Sequence, residues 1–409
     1  MEAVRRLVGV EHGRGASLVF SARNVERVVD RLARLRGAAM KLGQLLSMQG
    51  EDLLPPQLAR ALATLQAGAY AMPQSQVRQV LGREYGRGWE RRFSHFEYEP
   101  IAAASIGQVH RARTADGRDV ALKIQYPGVA KSIDSDVDNA RMLLHLLDLP
   151  PAEFDVEGIT AEAKRQLHEE ADYLAEAASL RRYRTFVADE PRLVVPRVHA
   201  DLTTRRVLAM DFAQGVPLDR LADEGVAQAT RDRAGALLER LLFRELFEFR
   251  FMQTDPNFAN YLYRRFPERV VLLDFGSTRR FSRQFVARYA RITRAIVDGD
   301  REAARMFAVD IGYLRPGDDA WRVRATLDLL FLVCEPLRHR GRYDFAASNL
   351  ALRAGELTFL PGVKAGTLRV PPPETMFLHR KLVGSFLLCA RIRARVDVRS
   401  LILPFLGAR

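Results

Sequence analysis

The sequence has little that would hold it together covalently or through a metal. Cysteine occurs only twice in 409 residues, as Cys334 and Cys389. Both stand in apolar, helical-looking stretches far apart, so they read as small core residues of a reducing compartment and not as a disulfide. The eight histidines show no ligand spacing, which speaks against a zinc site. No apolar run approaches the roughly 20 residues that cross a bilayer. The opening MEAVRRLVGV has neither a long apolar core nor a cleavage signal. A soluble or peripherally membrane-bound, non-exported chain is the expectation. Acidic residues are the minority charge, 50 Asp and Glu against 63 Lys and Arg, for a formal charge of +13. That excess suggests an acidic partner. It is scattered, however, with no compact basic tail or aromatic-interleaved run, so no specific nucleic-acid binding is expected. A nucleotide and an anionic membrane surface account for the charge.

A hydrophobic content of 48% over this length supports two or three packed units. The stretch that organises them runs from Phe251 to Gly276, FMQTDPNFANYLYRRFPERVVLLDFG. Asp255 is followed five positions later by Asn260, and an apolar run, Val270 to Leu273, ends in Asp274-Phe275-Gly276. Phosphoryl transfer needs a carboxylate to orient the attacking oxygen, an amide oxygen to help hold a metal, and a second carboxylate to bridge Mg2+ to the phosphates. Asp255, Asn260 and Asp274 supply those groups in that order.

Upstream, the apolar residues of Ser21 to Met48 recur at three- and four-residue steps and predict a helix carrying Lys41-Leu42-Gly43-Gln44. Lys41 and Gln44 share one face of it, and on an amphipathic helix alone they read as solvated. Further helices are expected from Pro55-Pro56 to Ala67 and from Pro73 to Gly86. From Phe96 the period changes. Phe96 to Ile101 reads as a strand, Ala102-Ala103-Ala104-Ser105-Ile106-Gly107-Gln108 as a loop, Val109 to Thr114 as a strand, Asp116-Gly117 as a turn, and Asp119 to Ile124 as a strand bearing Lys123. This is how a kinase covers ATP, the small-residue loop lying over the phosphates and Lys123 reaching the α- and β-phosphates. Alanines stand where glycines are usual, so a stiffer cover is expected. One helical run from Glu157 to Phe186 offers Glu170 or Glu176 as the partner of Lys123, although such acidic residues are ordinarily a solvated face. Val207 to Phe212 fits a hinge whose backbone, at Met210 and Phe212, would bind adenine. After Gly276 the chain enters helical pattern directly, without the long segment that protein kinases use as a peptide platform. Glu374 to Arg395 reads as a core helix with Phe377, Leu378, Leu382, Phe386 and Leu387 on one side.

Taken together, the K-x-G-Q helix, the alanine-rich stretch from Ala102 to Val109, Glu170-Ala171-Asp172, Gln253-Thr254-Asp255-Pro256-Asn257, Val370-Pro371-Pro372-Pro373-Glu374 and His379-Arg380-Lys381 resemble the UbiB family of atypical kinases, the aarF-domain proteins. The likeness covers nearly the whole chain and is greatest to the coenzyme-Q-supporting branch. It implies an α+β, bilobed protein-kinase-like fold. Residues 1–95 would be the K-x-G-Q extension, 96–212 the first lobe and 213–409 a helical second lobe. It further implies that Lys41 and Gln44 face Glu170 and Asp172 in the cleft, that Lys123 pairs with Glu176, that Asp255 is the catalytic carboxylate, and that Asn260 and Asp274 hold Mg2+. Ala102, Ala103, Ala104 and Ser105 would cover ATP or ADP. The implied role is an ATPase or small-molecule kinase in ubiquinone biosynthesis, responsive to anionic lipids and quinone precursors, and working with quinone-biosynthetic proteins. A bacterial protein at the cytoplasmic face of the inner membrane is expected. The alternatives are a nucleotide-switched scaffold and a true protein kinase, the latter disfavoured by the missing platform.

Overall fold

The computed structural model describes residues 37, 38, 41, 71–146, 156–350, 352–354 and 373–407. The helix expected over 55–67, and Gln44, lie outside them. Two compact units emerge. One takes the described residues through Leu174 together with His199–Asp211; the other takes Ala175–Val198 and everything from Phe212 onward.

The first unit is a twisted antiparallel sheet with helices. Helix α1 (Gln74–Tyr85) starts after Pro73 and stops at Gly86, whose φ of 86° only glycine adopts cheaply. It buries Val77, Val80 and Leu81, three- and four-residue neighbours on one face. Strands β1 (Phe93–Phe96), β3 (Gly107–Thr114), β4 (Asp119–Gln125) and β6 (Val207–Asp211) lie in the order β1-β3-β4-β6. Trp89, Phe93, Val120, Leu122, Ile124 and Val207 form a core with the α1 residues. The turn expected at Asp116-Gly117 is present, with Gly117 at φ 90°.

The first strand begins and ends earlier than the expected 96–101. The alanine stretch is not a loop: Ala102–Ala104 is a strand, β2, paired with β3 through Ala102 and Val109, Ala103 and Gln108, and Ala104 and Gly107. Nothing from Ala102 to Gly107 takes a positive φ, so alanine meets no backbone strain at Ala102, Ala103 and Ala104. Gly107 is needed for room, since a Cβ there would lie 2.3 Å from the Ile124 carbonyl oxygen.

The helical run expected over 157–186 is two helices, α3 (Val156–Glu170) and α4 (Tyr173–Phe186), with α2 (Val129–Leu146) packed on α3. At the break the Gln125 side chain donates to the Ala171 carbonyl oxygen at 2.7 Å, satisfying a carbonyl left open by the end of α3.

In the second unit, α5 (Gln228–Phe243) runs into a π-helical turn, Arg244–Phe249, ended by Arg250 in the left-handed region at φ 49°. Strand β8 (Phe251–Gln253) pairs with β11 (Thr278–Arg280), and β9 (Tyr261–Arg264) pairs with β10 (Arg269–Leu272). Segments 254–260 and 273–277 therefore leave the two strand pairs side by side. Helix α6 (Arg283–Asp298) begins three residues after β11, with Ser282 accepting from the Phe285 amide, so only 281–282 separate the strand from the helix. Helix α10 (Pro373–Arg391) buries Leu378, Leu382 and Phe386 as expected, whereas Leu387 is 42% exposed. Both cysteines are buried free thiols. No described helix is long and apolar enough to cross a membrane.

Candidate active site

Three of the expected residues come together in the second unit. The loop after β8 carries Asp255 and returns through a short 3₁₀ turn to Asn260, the residue before β9. Asn260 donates its amide nitrogen to the Asp255 carbonyl oxygen at 3.2 Å and accepts the Leu273 amide on its own carbonyl at 3.0 Å. That second bond ties the Asp255 loop to the residue before Asp274. Asp274 accepts the Gly276 amide at 2.9 Å, which orients its carboxylate. Behind it, Thr254 and Ser277 join by backbone and hydroxyl bonds of 2.9 and 3.0 Å. Phe275 is 1% exposed and packs against Tyr183 of α4 with ring centroids 4.4 Å apart. Asn260 and Asp274 line a small cavity with Gln253, Glu245 and Lys381. Since the Asn260 nitrogen is committed to Asp255, its amide oxygen is the donor that remains. One carboxylate and one amide oxygen are hard ligands of the kind Mg2+ takes beside phosphate oxygens and water.

Beneath this loop lies a buried polar layer that sequence reasoning missed. Lys381 is 5% exposed; its ammonium donates to Gln253 Oε1 at 3.1 Å and Tyr261 Oη at 3.2 Å and lies 3.3 Å from Glu245. Burial alone would lower the Lys381 pKa, and Glu245 and Tyr261 beside it together more than reverse this. Glu245 also accepts the Gln253 amide at 3.1 Å and the Tyr183 hydroxyl. Arg380, one residue earlier, donates to Asp255 Oδ1 at 2.7 Å. The triplet His379-Arg380-Lys381 carries part of the family resemblance, but nothing in its own neighbourhood assigns it a partner 125 residues away.

The first unit holds Lys123, the alanine strand, Lys41, Glu170, Asp172 and Met210. Lys123 stands on central strand β4, 8% exposed, its ammonium 5.2 Å above the Tyr173 ring. Met210 on β6 is opposite Ala121 and buried. Lys41 is not solvated: it is 2% exposed and bonded at 2.6 Å to Glu170, which also accepts the Ser105 hydroxyl at the tip of the β2–β3 hairpin. Gly37, four positions before Lys41, approaches so closely that a Cβ would lie 2.6 Å from the Ser105 carbonyl oxygen. Asp172 is exposed, in the break between helices. Glu176 and Phe212 belong to the second unit, Glu176 at 2% exposure on α4. Its neighbours Ala177, Leu180 and Tyr183 share its buried face.

A sheet bearing a buried lysine and a small-residue hairpin, and a second unit bearing Asp255, Asn260 and a D-F-G triplet, define a kinase-like protein. The ABC1 atypical kinase-like domain family matches residues 64–307. The chain belongs to that family. It is 42% identical over 388 residues to "Atypical kinase COQ8B, mitochondrial" of Rattus norvegicus, covering 95% of this chain and 72% of that protein. It is 36% identical over 403 residues to the COQ8 atypical kinase of Schizosaccharomyces pombe, covering 98% and 65%, and 37% identical over 388 residues to that of Saccharomyces cerevisiae, covering 94% and 76%. The chain thus spans two thirds to three quarters of these relatives. Among solved structures, the Rv3197–erythromycin complex from Mycobacterium tuberculosis aligns at TM-score 0.66 and 24% identity, over 100% of this chain and 99% of that one. At that identity the likeness bears on fold alone.

Proposed function

We propose that the chain binds Mg-ATP and either hydrolyses it or transfers its γ-phosphoryl group, supporting ubiquinone biosynthesis at a membrane. The observation that carries this is the convergence of Asp255, Asn260 and Asp274, locked to one another through the Asn260 and Leu273 backbone. Asn260 and Asp274 hold Mg2+, which neutralises phosphate charge when bound. Asp255 orients the nucleophile. Lys123, paired with Glu176, grips the α- and β-phosphates beneath Ala102, Ala103, Ala104 and Ser105, and the backbone at Met210 and Phe212 receives adenine.

Lys41 and Gln44, with Glu170 and Asp172, bar peptide access; the buried Lys41–Glu170 pair supports that role. Only two residues separate β11 from α6, which disfavours a peptide platform and with it a protein acceptor, and leaves water, a phenol or a lipid as the favoured acceptors. Similarity to the COQ8 atypical kinases supports the quinone assignment. The net charge of +13 supports contact with anionic lipid, where quinone precursors and quinone-biosynthetic proteins would be met. A bacterial inner-membrane location follows from the same reading.

Asp274→Asn tests it. Saturating Mg-ATP at about 100 times its Kd stabilises a binding protein by about 2.7 kcal/mol. Loss of the corresponding thermal shift in the variant is expected, and an undiminished shift would remove Asp274 from the site. Nucleotide binding without phosphate release, with or without anionic vesicles, would leave a nucleotide switch in place of an enzyme.

A further inference from the structure

We infer that Arg380 is a positioning residue for the reaction, holding one oxygen of Asp255 so that the other is presented to the nucleophile. The inference rests on the reading of Asp255 as the catalytic carboxylate. Helix α10 meets the Asp255 loop at three points. Lys381 holds the Gln253 side chain at 3.1 Å. Arg380 holds Asp255 Oδ1 at 2.7 Å. Gly384 lies so close to Pro256 that a Cβ would fall 2.1 Å from the Pro256 ring.

The loop backbone is also pinned independently. Gln253 and Asn260 both donate to the Asp255 carbonyl, and Thr254 bonds to Ser277. What those contacts leave undetermined is rotation of the Asp255 carboxylate about its own side-chain bonds. Arg380 sets that rotation through its short bond, with only a long 3.5 Å bond from the Asn260 amide nitrogen on the other oxygen. With Oδ1 taken by the guanidinium, Oδ2 is turned toward Asn260, whose amide nitrogen lies 3.5 Å away. The oxygen beside the candidate metal ligand is therefore the one that meets the attacking group. Arg380 and Asp255 are 10% and 21% exposed, so this charge-assisted bond is shielded from much of the competition water would offer.

The test is a double-mutant cycle of wild type, Arg380→Met, Asp255→Asn and the double variant, reading phosphate release from Mg-ATP and, separately, Mg-ATP affinity by titration calorimetry. Misplacing a reacting group by about 1 Å costs roughly a hundredfold in rate. Arg380→Met is expected to lose about ten- to a hundredfold in kcat while its Mg-ATP affinity stays unchanged, and Arg380→Lys to recover part of the loss. In the Asp255→Asn background the same change should have no further effect on kcat, because no carboxylate remains to orient. Wild-type kcat in Arg380→Met, or an equal loss in both backgrounds, overturns the inference and leaves the Asp255 reading standing. Wild-type kcat in Asp255→Asn alone overturns that reading. If Arg380→Met fails to fold, the cycle run with Arg380→Gln, which removes the charged contact, gives the same discrimination.

Discussion

Glu239 is fully buried on α5, where Ser385 and Cys389 of α10 donate to its Oε1 at 2.6 and 3.4 Å. Its other oxygen has no hydrogen-bond partner among the described residues. Burial pushes the carboxyl from its ordinary 4.5 up to about 7, while Ser385, Cys389 and Lys381 pull the other way. A carboxyl raised in the folded state keeps its proton where the unfolded chain has already released it. Its contribution to stability is therefore complete below about pH 4.5, falls as pH rises toward 7, and is flat above that. The gap of about 2.5 pH units, at about 1.36 kcal/mol per unit, is worth on the order of 3 kcal/mol.

Glu239→Gln keeps the shape and an acceptor oxygen but does not titrate. Urea denaturation of both proteins from pH 4.5 to 8 should show the variant gaining on the wild type by about that amount across the interval. Taking the difference cancels every other titration, including that of His379, which burial lowers to about 4 and whose contribution runs the opposite way. A constant offset between the curves only reports the added amide nitrogen. Parallel curves, agreeing in slope to within about 1 kcal/mol over the interval, would refute the buried neutral carboxyl.

Other substitutions address single contacts. Lys41→Met removes one partner of a buried ion pair and leaves Glu170 with the Ser105 hydroxyl, so a loss of about 3 kcal/mol is expected by chemical denaturation; a loss under about 1 kcal/mol would mean Lys41 is not held there. Gly384→Ala forces a methyl into the Pro256 ring and should cost about 1–3 kcal/mol and depress phosphate release. Val383→Ala, one residue away and 40% exposed, should stay within about 0.5 kcal/mol of wild type and serves as the control.

Features that depend on neighbours a few residues away were legible in the sequence. Pro73 and Gly86 bracket α1 because each restricts or frees its own φ. The spacing of Asp255, Asn260 and Asp274 survives folding intact because one short hairpin, β9–β10, lies between the last two. The alanine strand was misread because three identical small residues offer no alternation of polar and apolar to mark a period of two. The helix break at 171–172 is not legible for another reason: the side chain that satisfies the Ala171 carbonyl there, Gln125, is 46 residues away.

By itself the sequence determined which chemistry is available, namely oxygen ligands, a lysine on a strand and a small-residue cover, together with where most of the local elements start and stop. Only the tertiary structure decided which charges are buried and with whom. Lys41 meets Glu170 across 129 residues and Arg380 meets Asp255 across 125. A charged side chain on an amphipathic helix carries no mark of its environment until packing removes the water around it, and an ion pair of that separation exists only once the chain has closed.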